Sequence, residues 1–145
     1  MRGDKIGGPI RWRMHIPVSP ERVFAALTSD AGRASFWAES AIEKDGHIAF
    51  RFSNGYSCTS KVLERPPDLF ALDYLGGPAR FELSADGAGG TDLLLTQDGI
   101  APDDWNEVHA GWLNVVFPLK AWLGHGVDLR NHDATRTWDQ GYADQ

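Results

Sequence analysis

An α+β domain, in which an antiparallel sheet carries its helices on one face, is the fold class this sequence predicts. Three observations lead to it. Between Glu39 and Gly99, short runs alternate apolar with polar residues and are separated by turn dipeptides, which is a strand signature. Successive runs lie close enough to be joined by hairpins, which makes their pairing antiparallel. From Asp103 to Gly124 the pattern changes: Trp105, Val108, Trp112, Val115, Val116, Leu119, Trp122 and Leu123 recur in steps of three and four. That spacing predicts a helix of about six turns, too apolar to be stable without a sheet to lie on.

The first element is a strand. Ile10, Trp12, Met14 and Ile16 alternate with Arg11, Arg13, His15 and Pro17, so one face is dry and the other wet. A helix follows, with Ser19 as N-cap, Pro20 at its first position, and Val23, Phe24 and Leu27 as its buried stripe up to Thr28. A second short helix is expected from Asp30, carrying Phe36 and Trp37. Ile48, Phe50 and Phe52 alternate between the turns Asp45-Gly46 and Asn54-Gly55, both tolerant of positive φ. Runs Tyr56 to Glu64, Leu69 to Leu75, Ala79 to Ala85 and Thr91 to Asp98 complete the strands. With the run from Glu39 into the Asp45-Gly46 hairpin turn, the order is strand, two helices, six strands, long helix. In that long helix Asp103 or Asp104 is expected to cap the start, Pro118 to bend the middle, and Gly124 or Gly126 to end it.

Size and composition narrow the function. The 145 residues make one domain, with 42% hydrophobic and 23% charged residues, and therefore globular. A net charge of −6 argues against nucleic acid as a partner, because phosphate recognition needs clustered positive charge. No run approaches the ~18 apolar residues of a membrane span, and the N-terminus has no apolar segment of the signal-peptide kind. Cys58 is the single cysteine, which fits a reducing, cytoplasmic location. The five histidines, His15, His47, His109, His125 and His132, have no zinc-type spacing, so no metal site is expected. No phosphate loop, dinucleotide fingerprint or nucleophile elbow occurs, and no cofactor is expected. The domain is read as residues 1–127. Residues 128–145 form a tail that keeps Trp138 and Tyr142 and is expected to pack back on the domain or on a partner subunit, near the mouth of any cavity.

Several stretches also resemble a known family. They are VSPERVFAALT (Val18 to Thr28), then Trp37, KVLERPPDLFALDY (Lys61 to Tyr74), GGTDLLLTQDG (Gly89 to Gly99), Gly111-Trp112 and Leu119-Lys120. In order and spacing they resemble the START-like, or SRPBCC, superfamily, and within it proteins similar to the C-terminal domain of the Hsp90 ATPase activator Aha1. The resemblance covers about Ile10 to Val127. It implies a helix-grip fold, a curved antiparallel sheet wrapped around a long C-terminal helix with a cavity between them. Such proteins often carry a histidine near the end of the last strand, where this chain has Gln97-Asp98. Members bind lipids, sterols, polyketides or plant hormones; some are cyclases and some are co-chaperones.

Three functional expectations follow. The first is binding of a small hydrophobic ligand, of lipid, sterol, polyketide or aromatic type, by Trp12, Phe50, Phe52, Tyr56, Ser60, Tyr74, Phe81, Trp105, His109, Trp112 and Val116. Tyr56, Tyr74 and Ser60 would be its polar handles. The second is a cyclase or hydrolase using the same cavity, with His109 as candidate acid or base. Against that stands the plain reading of His109 as a core histidine, and of the aromatics as core filling. The third is a co-chaperone-like interaction domain. As protein partners, the expectations are a second copy of the chain and, ranked below it because the chain is one short unit, an Hsp90-type chaperone.

Overall fold

The computed structural model describes residues 4–145. Seven strands form one antiparallel sheet in the order β1-β7-β6-β5-β4-β3-β2. They are β1 (Ile10–Ile16), β2 (Ser40–Lys44), β3 (His47–Arg51), β4 (Ser57–Glu64), β5 (Leu69–Tyr74), β6 (Gly77–Ala85) and β7 (Thr91–Gln97). Strand β1 closes the edge beside β7, with Ile10 opposite Gln97 and Ile16 opposite Thr91. The alternation in β1, β3 and β6 places Ile10, Ile16, Ile48, Phe50, Phe81 and Leu83 inward, all buried. The sheet curves around a long C-terminal helix, as the helix-grip expectation required.

Two short helices, α1 (Pro20–Thr28) and α2 (Asp30–Ala34), separate β1 from β2. Ser19 caps α1 as expected, accepting the backbone N–H of Arg22. Ser29 caps α2 in the same way, through Gly32. The second helix is shorter than the sequence suggested: Phe36 and Trp37 lie just beyond its end, in a turn closed on the Arg33 carbonyl. Arg33 itself is fully buried. Its guanidinium donates to the carbonyls of Leu27 and Ala41 and to Asp30, tying α1, α2 and β2 together. That tie fixes where Trp37 enters the core.

The long helix differs in detail from expectation. It starts at Pro102, with Ala101 as the capping residue, so Asp103 and Asp104 contribute first-turn charge and no side-chain cap. It runs as α3 (Pro102–Gly111) and α4 (Leu113–His125), interrupted at Trp112. Pro118 lies inside α4 without ending it. At the interruption the His109 carbonyl accepts the Trp12 indole N–H at 2.9 Å, which anchors the helix to β1. Gly126, at φ 66°, terminates α4, and Gly124 is still helical.

The chain from Asp128 onward lies against the domain. Arg130 donates to the carbonyls of Ala34 and Ala38, at 2.9 and 2.8 Å, and to Asp128. His132 stands 2.6 Å from both Glu39 and Asp128. A short 3₁₀ turn, Trp138–Gln140, follows, and Asp139 accepts the Asn54 amide from the β3–β4 hairpin at 3.2 Å.

Candidate functional site

The aromatic residues of the sheet and helix first build a floor. Trp37 is surrounded by Phe50, Tyr74 and Phe81 at ring-centre distances of 4.9, 5.3 and 5.5 Å. Trp112 closes the group at 5.0 Å from Tyr74 and 5.7 Å from Phe81. Large rings at these separations pack by their edges and faces and leave the polar tips to be satisfied separately. The Trp37 indole donates to the Tyr74 hydroxyl at 3.1 Å. The Trp112 indole donates to the Gln97 side-chain oxygen at 2.7 Å. Gln97 is fully buried, and its amide nitrogen donates to the carbonyls of Tyr74 and Gly77. Gln97 thereby locks Trp112 against the β5–β6 turn.

Above this floor lies a cavity of about 390 Å³. Its walls come from four places. The floor contributes Trp37, Tyr74 and Trp112; the β3–β4 hairpin gives Phe52, Asn54 and Tyr56. Helices α3 and α4 supply Asp104, Glu107, Val108, Gly111, Asn114 and Val115, while Leu75 lies in the β5–β6 turn. The tail completes the mouth with Trp138, Asp139 and Gln145. A side chain at Gly111 would meet nothing within 4 Å, so the helix wall there is open space. Burial pushes the Tyr74 phenol above its ordinary pKa, partly countered by the Trp37 hydrogen bond, so this hydroxyl remains a donor at neutral pH. The Thr137 hydroxyl and the Asn54 amide hold the Asp139 carboxyl below the ordinary range.

Of the residues expected from sequence, Phe52, Tyr56, Tyr74 and Trp112 line this cavity. Phe50, Phe81 and Val116 are buried beneath it as core. Ser60 is also buried, opposite Ile48 in the β3–β4 pair, and does not reach it. Trp12, Trp105 and His109 stand elsewhere. The His109 ring is stacked between Trp12 at 4.6 Å and Trp105 at 4.5 Å, and the Trp105 indole donates to the Gly8 carbonyl. The physical reason is helical phase. Trp105, His109 and Val116 lie on a stripe next to the one formed by Asp104, Val108, Gly111 and Val115, and one residue of offset turns a side chain by about 100°. Trp37 was not among the walls expected from sequence, and the tail was expected near the mouth without Trp138, Asp139 or Gln145 being assigned to the wall. Gly111 was the overlooked signal, since glycine inside a helix costs stability unless space or close approach requires it.

Among the described residues no group of three or more His, Cys, Asp or Glu side chains is arranged to hold a metal ion, and no helix is long and apolar enough to cross a membrane.

The chain matches no protein-family model and no curated protein sequence. Solved structures share its fold. The solution structure of the Aha1 dimer from Colwellia psychrerythraea is similar over 81% of this chain and 97% of its own, at 24% identity and a TM-score of 0.72. Protein SSP2350 from Staphylococcus saprophyticus is similar over 84% and 96%, at 24% identity and a TM-score of 0.71. DynU16, a putative protein in the dynemicin biosynthetic locus, is similar over 83% of this chain and 49% of its own, at 21% identity and a TM-score of 0.68. These likenesses agree with the helix-grip fold described above.

Proposed function

We propose that this domain binds a small hydrophobic molecule, of lipid, sterol, polyketide or aromatic type, in the cavity between the β3–β4 hairpin, the α3–α4 face and the tail. The observation that carries the proposal is the 390 Å³ space itself, bounded by six aromatic rings, with Gly111 leaving one wall bare. A ligand burying roughly 200 Å² of apolar surface there would gain about 5 kcal/mol before the cost of immobilising it. Tyr74 offers a hydrogen bond from the floor, and Asn54 and Asn114 offer amides at the walls. An acid–base role for His109 draws no support from its place between two tryptophans outside this space. Self-association is proposed with it, from the exposed Phe117 and Trp122 on α4 and the dimeric state of the Aha1 protein of like fold. A cytoplasmic location is proposed from the lone cysteine, Cys58.

The test is native mass spectrometry of the protein purified from its own host, set beside its denatured mass. A reproducible added mass that is lost on denaturation supports the proposal. No added mass, together with no thermal shift across sterols, fatty acids and aromatic polyketides, overturns it.

A further inference from the structure

The mouth of the cavity carries one sign of charge. Asp104 and Glu107 reach it from α3, and Asp139 from the tail. No lysine, arginine or histidine lines the cavity among the described residues. None of the three carboxylates forms an ion pair among the described residues either. Asp139 is held in place by neutral donors, the Thr137 hydroxyl and the Asn54 amide, which favour its charged form. Charges of one sign around a low-dielectric cleft focus their field into it. The aromatic faces of Trp37, Phe52, Trp112 and Trp138 add the attraction of ring quadrupoles for a cation. A carboxylate ligand such as a fatty acid would meet the opposite conditions on every side.

The floor adds a second requirement. Tyr74 is only 5% exposed, and its hydroxyl oxygen accepts the Trp37 indole N–H. Its own O–H has no acceptor among the described residues. A hydroxyl buried to this degree gains by donating, and the space in front of it is the cavity.

Taking the cavity as the binding site proposed above, we infer that its ligand is an organic cation, an aromatic or apolar body with a basic or quaternary nitrogen at the mouth and a hydrogen-bond acceptor at the floor. Fatty acids and other carboxylates are selected against. The acidic rim steers the cation in, and the rings hold its body and share its charge.

Three probes with one body separate the possibilities: 2-(1-naphthyl)ethylammonium, 1-naphthaleneethanol and 1-naphthaleneacetate, titrated calorimetrically into the intact chain at low and at high salt. The ammonium is expected to bind about tenfold or more tighter than the acetate at low salt. High salt narrows the gap, because exposed charges are screened. The double variant Asp104→Asn/Glu107→Gln narrows it as well. Binding of the acetate as tightly as the ammonium overturns the charge inference while the cavity reading stands. A gap indifferent to both salt and the double variant overturns it too. Failure of all three probes to bind overturns the cavity reading itself.

Discussion

Replacing Gln97 with leucine tests how the cavity floor is held. Leucine has roughly the amide's volume, so the change removes hydrogen bonds more than it opens space. Three partners lose a bond: the Trp112 indole and the carbonyls of Tyr74 and Gly77. An indole N–H left unpaired in the interior costs about 1–3 kcal/mol, and each carbonyl loses about 0.5–1.5 kcal/mol. The added apolar burial returns about 1 kcal/mol, so Gln97→Leu is expected to destabilise the domain by about 3 kcal/mol. In a Trp112→Phe background the orphaned N–H is gone, and the same substitution should cost about 1–2 kcal/mol less. Urea unfolding of the four proteins, followed by circular dichroism with a common m-value, measures both numbers. A single variant within 0.5 kcal/mol of the parent would refute the reasoning. So would two single costs that add to the double within about 0.5 kcal/mol.

The remaining expectations concern the walls and the tail. Gly111→Leu points a side chain into open cavity space and improves helix propensity, so the melting temperature should hold or rise while a hydrophobic probe loses at least tenfold in affinity by calorimetry. Gly32→Ala should do the reverse of the usual glycine-to-alanine gain in a helix. Its Cβ would lie 2.4 Å from the Ala26 carbonyl oxygen and 2.6 Å from the Ala26 Cα, so a thermal melt should show a loss of about 2 kcal/mol. The His132 imidazole is pushed above its ordinary pKa, first by Asp128 and then by Glu39, against the lowering effects of burial and Arg130; Arg51 also faces the hollow it lines. A raised histidine pKa means that its hold on the tail is complete below about pH 6.5 and is lost as pH rises through the folded value. Asp128 has the opposite sign: burial opposes its charge, but Arg130 and His132 prevail and lower its pKa, so its contribution is lost only in strong acid. An NMR titration should place His132 above 6.5, and trypsin should cut after Arg136 faster at pH 8.5 than at pH 6.5 by more than in a His132→Gln variant; equal ratios in the two proteins would reject the latch.

The fold was legible because its signals are local. Alternation in Ile10 to Ile16 and in Ala79 to Ala85 reports a sheet face directly, and Asp45 and Gly46 indeed sit at φ 52° and 76° in a tight turn. Some boundaries moved for reasons local patterns cannot carry. Leu75 adopts φ 48°, so the β5–β6 turn is Leu75-Gly76 and not the Gly76-Gly77-Pro78 punctuation the sequence displays. The site was half legible. Tyr74 and Trp112 are strong apolar signals with polar tips, and their burial was expected. Which helix stripe meets the cavity was not, because two adjacent stripes are both apolar and Trp112 belongs to both. His109 drew attention as a polar group on an apolar stripe; its partner stripe on β1, through Trp12, is a tertiary fact. The tail's place at the mouth depends on Arg130 reaching carbonyls more than ninety residues away.

The six tryptophans allow one direct measurement of the central claim. The indole N–H resonances of Trp37, Trp112 and Trp138 report the cavity wall. Those of Trp12 and Trp105 report the His109 stack, and Trp122 reports the exposed face of α4. Adding 1-naphthaleneethanol, the uncharged probe, to ¹⁵N-labelled protein should shift the first three and leave the other three in place. Shifts confined to Trp12, Trp105 or Trp122, with the wall tryptophans unmoved at saturation, would contradict the account.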